Sequence, residues 1–184
     1  MSVSLAWLAL TQSDLAALLV IEGPTTAGSY TPTLRIVESL TAIGIGLKYG
    51  LGSSLADPHR SFSIPWKQLL PLFGVGIILA YVVSPTLVPT AFGGETSWLP
   101  VEAGLLAGAM LFAILAALLA QRLMADRLYY EAVACSAVAV GGTVAMTAAL
   151  VFLAGTTGAA TAQLGSYALW VACLSIALRR RRAQ

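Results

Sequence analysis

Hydrophobic and polar positions along the chain sort into long apolar runs separated by short polar breaks. The plainest run is Ala103 to Ala120, AGLLAGAMLFAILAALLA, with no polar side chain in it. That is the length of a helix that crosses a hydrocarbon core of about 30 Å. The same pattern along the rest of the chain predicts spans at about 3–21, 33–51, 67–88, 101–121, 131–154 and 159–178, followed by a basic tail over 179–184.

The breaks are as informative as the runs. Glu22-Gly23-Pro24 ends the first span, and the Gly-, Pro-, Ser- and Thr-rich stretch Gly23–Pro32 reads as a short loop. The polar stretch Gly52–Pro65, which holds Asp57 and the only histidine, His59, reads as a second loop without metal-ligand spacing. Pro71, Pro85 and Pro89 fall near the ends of the third span, where proline shapes or kinks a helix. Ala132 to Leu178 is uncharged and too long for one crossing. Its interruption at Gly155-Thr156-Thr157-Gly158 predicts a tight hairpin of two helices.

The second run differs from the others. As a helix turning about 100° per residue, Leu34–Leu51 places Ile36, Leu40, Ile43, Leu47 and Leu51 on one face and Arg35, Glu38, Thr41, Lys48 and Tyr49 on the other. It either spans or lies in the inner interface as an amphipathic helix, which leaves five spans and an outward N-terminus.

Composition sharpens this pattern into a class. The 184 residues are 58% hydrophobic and 10% charged, with a mean hydropathy of +0.85, far from soluble proteins, where about a quarter of residues are charged. The expected fold is an all-α polytopic membrane bundle of six transmembrane helices with both termini cytoplasmic, set in the plasma membrane. The first run lacks a Lys/Arg-rich start and is interrupted by Thr11-Gln12-Ser13-Asp14, so it reads as a retained span rather than a cleaved signal.

Charge sets the orientation. With the tail Arg179-Arg180-Arg181-Arg182 inside, alternation places Arg122, Arg127, Lys48, Arg60 and Lys67 at inner ends too, and Arg35 is the one exception. A basic run beside a span reads as a topology signal and an anionic-lipid contact, not a nucleic-acid site. Trp66, Tyr129 and Tyr130 then fall at inner ends and Tyr30 and Trp98 at outer ends, as an aromatic belt requires. Trp170 lies outside that belt, either facing lipid or packed within the bundle.

Candidate chemistry is concentrated in the first two spans. A charge at depth costs on the order of 2.5 to 3.5 kcal/mol on insertion scales and calls for a partner or a function. Counted from the outer ends, Asp14 and Glu38 fall at about 10 Å and 9 Å of depth, with Arg35 one turn shallower. An Asp14, Arg35, Glu38 cluster, with Thr41 below it, is therefore a candidate proton, cation or polar-solute site. The alternative is an ion pair that lets two marginal helices insert, with Arg35 reaching for the interface. Two acids and one base leave one carboxylate over.

Other residues carry structural expectations. Glu102 and Glu131 occupy first-turn positions where the helix dipole favours a carboxylate. Gly46 and Gly50, Gly104 and Gly108, and Ala134, Ala137, Gly141, Ala145 and Ala148 form small-residue seams for close packing within the bundle or against a second copy or partner subunit. The fifth span is expected to be the most buried. Cys135 and Cys173 fit no CxxC, zinc or haem spacing. There are no histidines in the spans for haem, no HExxH, GxSxG or Walker sequence, and no cofactor is implied. The leading expectation is a small membrane carrier or solute-binding subunit. A non-catalytic accessory subunit comes second and a membrane enzyme third.

Overall fold

The computed structural model describes residues 3–50, 84–92 and 99–182 as continuous segments, with isolated positions from Lys67 to Val82. Every regular element among them is helical: α1 (Val3–Ile21), α2 (Pro24–Gly50), α3 (Ser84–Phe92), α4 (Pro100–Ala125) and α5 (Tyr129–Arg182). The Gly52–Pro65 loop and most of the expected 67–88 span lie outside the described residues. So do the side chains of Thr41 and Lys48.

The loop expected over Gly23–Pro32 is instead a turn of two residues. Gly23 adopts φ +90°, a left-handed conformation that glycine enters freely, and Pro24 starts α2 at the position where its missing N–H costs nothing. The residues that read as loop then join the helix, since the Ser29 and Thr31 hydroxyls donate to the carbonyls of Thr26 and Ala27 on their own helix. Pro32 removes a single backbone bond. At 27 residues α2 is about 40 Å long and begins nine residues earlier than the 33–51 span.

The described side chains of α2 pack through a line near its start. Ala27, Tyr30, Leu34 and Val37 are buried, on a line roughly 130° around the helix from Ile36, Leu40 and Ile43 at 100° per residue. That face packs on α4, whose Leu106, Ala107 and Met110 share its cluster with Leu18 of α1 and Val151, Ala159 and Ala160 of α5.

The helix α5 folds back on itself. Its backbone leaves helical geometry at Ala154 and Gly155, the latter at φ +53°, which divides it into arms over 129–154 and 156–182. A Cβ on Gly158 would overlap the Leu150 carbonyl, so only glycine fits there. Below that point Gly165 faces Met146 and Gly142 faces Leu169, and the arms run antiparallel. Trp170 is fully buried and stacks on Tyr167 with ring centroids 6.4 Å apart, on the bundle side of its two expected placements.

Ala134, Ala137, Gly141, Ala145 and Ala148 are exposed, contrary to the expectation of a buried fifth span. The first arm packs instead through Ala132, Ser136, Ala139, Thr143, Thr147 and Val151. Its Ser136 and Thr143 hydroxyls return to carbonyls one turn back, which lets them occupy the interior.

Among the described residues, two helices are long and apolar enough to cross a membrane, Pro100–Ala125 and Tyr129–Arg180. In the second, only 22% of its most apolar stretch is buried, and each of its arms has spanning length. An apolar surface exposed on that scale points to membrane association.

Candidate functional site

The α1–α2 hairpin builds the site. Asp14 and Tyr30 each stand eight residues from Glu22, so the antiparallel helices bring them level. Asp14 is 1% exposed and Tyr30 is fully buried. The Tyr30 hydroxyl donates to Asp14 Oδ2 at 2.9 Å, and the Leu15 N–H donates to Oδ1 at 2.8 Å. Among the described residues no Lys or Arg forms an ion pair with Asp14.

Arg35 and Glu38, expected beside Asp14, pair with each other instead. Arg35 Nη1 meets Glu38 Oε2 at 2.7 Å within α2, with side chains 49% and 18% exposed. The extended start of α2 explains the separation. Glu38 lies about 22 Å of helix from the turn and Asp14 about 12 Å, counting 1.5 Å per residue from Glu22 and Gly23. Glu38 still acts on Asp14 electrostatically, so the two acids share one region without sharing a hydrogen bond partner. The expected three-residue cluster therefore divides into a buried acid held by a tyrosine and a half-exposed ion pair of the kind worth about 0.3–0.5 kcal/mol.

Further polar groups lie at the level of Asp14. Leu10 packs with Tyr167, Trp170 and Leu174, whereas Leu18 packs with Val151, Ala159 and Ala160. Asp14, midway between Leu10 and Leu18, thus falls level with Gln163 on the second arm. Gln163 is 1% exposed, and among the described residues neither its amide oxygen nor its amide nitrogen has a hydrogen-bond partner. The contacts of Gly158 with Leu150 and of Gly165 with Met146 place Thr147 across from Gln163, and its buried hydroxyl is also without a hydrogen bond. Thr33, one turn from Tyr30, completes this set with a second such hydroxyl. Tyr167 stands within electrostatic reach of Asp14 and Glu38.

A second buried carboxylate closes one end of the bundle. Glu102 Oε1 accepts from the Thr156 hydroxyl at 2.9 Å and the Thr157 hydroxyl at 2.7 Å. Its first-turn position satisfies the helix dipole as expected, but its carboxylate reaches across to the tip of the α5 hairpin rather than back to its own N-terminus. Tyr30 lies near enough to feel its charge.

Among the expected site residues whose side chains are described, Asp14 is the one found in a buried polar setting. Tyr30, Glu102 and Gln163 do not stand out as site residues in the sequence. Tyr30 fits the aromatic belt in the sequence, and its signal is its equal distance from the turn, visible only once α2 begins at Pro24. Comparison with protein-family models, with curated proteins and with solved structures finds no match.

Proposed function

We propose that the chain is a small multi-pass membrane carrier or solute- and ion-binding subunit, and that its site is the buried layer around Asp14 and Tyr30. The observation that carries this reading is Asp14 itself: a carboxylate 1% exposed, held by a neutral tyrosine and facing no described cation. A charge in that position is expensive, and a group that only staples two helices does not need to be ionisable. Asp14 takes the role of a proton- or cation-accepting group. Gln163 offers a donor and an acceptor to a polar solute at the same level. Arg35 and Glu38 form the flank of the site on α2, with Thr41 deeper along the same helix.

The arrangement in the membrane is part of the same proposal. Six spans, with both termini on the cytoplasmic side of the plasma membrane, place every basic residue but Arg35 at an inner end. The α1–α2 turn and the α5 tip, which bear no Lys or Arg, then lie at the outer surface. Arg179 to Arg182 meet anionic lipid at the inner one.

One observation favours a second reading, a non-catalytic subunit of a larger membrane assembly. The seam Ala134, Ala137, Gly141, Ala145 and Ala148 is exposed, and small residues at this spacing let another helix approach closely. A second copy or a partner helix is its occupant in that reading. Neither reading involves nucleic acid.

A hydrophobic carbodiimide, to whose central carbon a protonated carboxyl within the membrane adds as its proton passes to the carbodiimide nitrogen, separates the two. The carrier reading expects peptide mapping to find the adduct on Asp14, with flux through reconstituted protein lost in step with labelling. An Asp14 adduct that leaves every measured flux intact removes it.

A further inference from the structure

The open end of the α5 hairpin, opposite Gly155, holds a cavity of about 440 Å³. Its walls come from the start of the first arm, with Tyr130, Glu131 and Cys135, and from the end of the second, with Cys173, Ile176 and Arg180. The interior is apolar, built from aliphatic side chains and two free thiols. One cation and one anion stand at it, Arg180 and Glu131, and no ion pair joins them among the described residues. Tyr130, 83% exposed, stands beside them, where an amphipathic ring suits a headgroup region.

Two opposite charges that line one cavity without closing on each other complement a zwitterion. We propose that this cavity binds the headgroup and upper acyl chain of phosphatidylethanolamine. Arg180 takes the phosphate, with the fork geometry that suits guanidinium to phosphate. Glu131 accepts from the primary ammonium, and Ala134, Ile176 and Ala177 face the acyl chain. The choice among lipids follows from the charges. Phosphatidylcholine presents a quaternary ammonium with no N–H to donate to Glu131. Phosphatidylglycerol presents no cation, and its net negative charge sets Glu131 against it. The remaining arginines of the tail attract anionic lipid in general, so selectivity must come from Glu131.

Native mass spectrometry of the full chain, titrated with phosphatidylethanolamine, phosphatidylcholine and phosphatidylglycerol of identical acyl chains, tests this. Phosphatidylethanolamine is expected to bind about tenfold more tightly than either, the equivalent of one charge-assisted hydrogen bond. Glu131→Gln removes that preference while phosphatidylglycerol binding holds or rises, and Arg180→Gln weakens all three whereas Arg180→Lys retains the order. If substitution at either position prevents insertion, the wild-type order alone decides. Wild-type binding of phosphatidylglycerol or phosphatidylcholine at or above that of phosphatidylethanolamine overturns the proposal, as does a preference that survives Glu131→Gln.

Discussion

The Tyr30 hydroxyl donates to Asp14 across the α1–α2 hairpin at 2.9 Å, with both residues buried and each eight positions from Glu22. The register of a two-residue turn therefore selects the partner of the deepest acid in α1. Tyr30→Phe leaves that acid one donor short and is expected to destabilise the folded protein by about 1–3 kcal/mol. In Asp14→Asn the same tyrosine substitution is expected to matter less. A double-mutant cycle read by thermal unfolding in detergent measures the coupling, and additive effects contradict the contact.

Gln163 tests whether the polar layer serves a ligand or only packing. Its unpartnered amide is a burden on stability in a closed bundle, so Gln163→Leu is expected to leave thermal stability unchanged or raised while flux falls. A marked loss of stability with flux per folded molecule intact assigns the amide to structure instead.

At the hairpin tip, Gly158→Ala forces a methyl group into the Leu150 carbonyl and is expected to cost about 1–3 kcal/mol or to block folding. Gly46→Ala, which meets open space, is expected to be neutral or stabilising. Equal yields and melting temperatures for the two variants contradict the tight approach of the arms.

Loss of the carboxylate at Glu102 is expected to loosen the same tip by a different route. Glu102→Gln weakens two hydroxyl bonds to a charged acceptor, and about 1–3 kcal/mol is expected from a buried group of this kind. Protection of the 154–158 amides from hydrogen exchange is expected to drop in the variant, and unchanged protection contradicts the contact.

If the exposed seam of the first arm docks a helix, Gly141→Leu is expected to abolish association. Single-molecule photobleaching in bilayers reads the oligomer fraction, with monomer stability held within about 0.5 kcal/mol as for other surface positions. An oligomer that persists in Gly141→Leu assigns association to another face.

Apolar length and glycine punctuation made α4 and the α5 hairpin legible in the sequence. Ala103–Ala120 lies within α4, and the break expected over Gly155–Gly158 begins at Ala154 and Gly155. The start of α2 was not legible, because Ser, Thr, Gly and Pro read as loop when water can satisfy the backbone. Here Ser29 and Thr31 bond their own helix, so the composition no longer breaks it. The early start of α2 separates Glu38 from Asp14 and brings Tyr30 to it. Small residues misled in the first arm for a related reason: close packing there runs through Ser136, Thr143 and Thr147, whose hydroxyls do not reveal their inward face. Glu102 finds its partners 54 and 55 residues away, a distance over which local pattern carries no information.

Proton flux into proteoliposomes, driven by a potassium diffusion potential and read by a dye sealed in the lumen, tests the role of Asp14 most directly. Wild-type protein is expected to acidify the lumen faster than protein-free vesicles, Asp14→Asn to fall to the protein-free rate, and Glu38→Gln to retain measurable flux. Wild-type vesicles no faster than empty ones, or an Asp14→Asn variant as fast as wild type, contradict the assignment of Asp14 as the proton-accepting group of a membrane carrier.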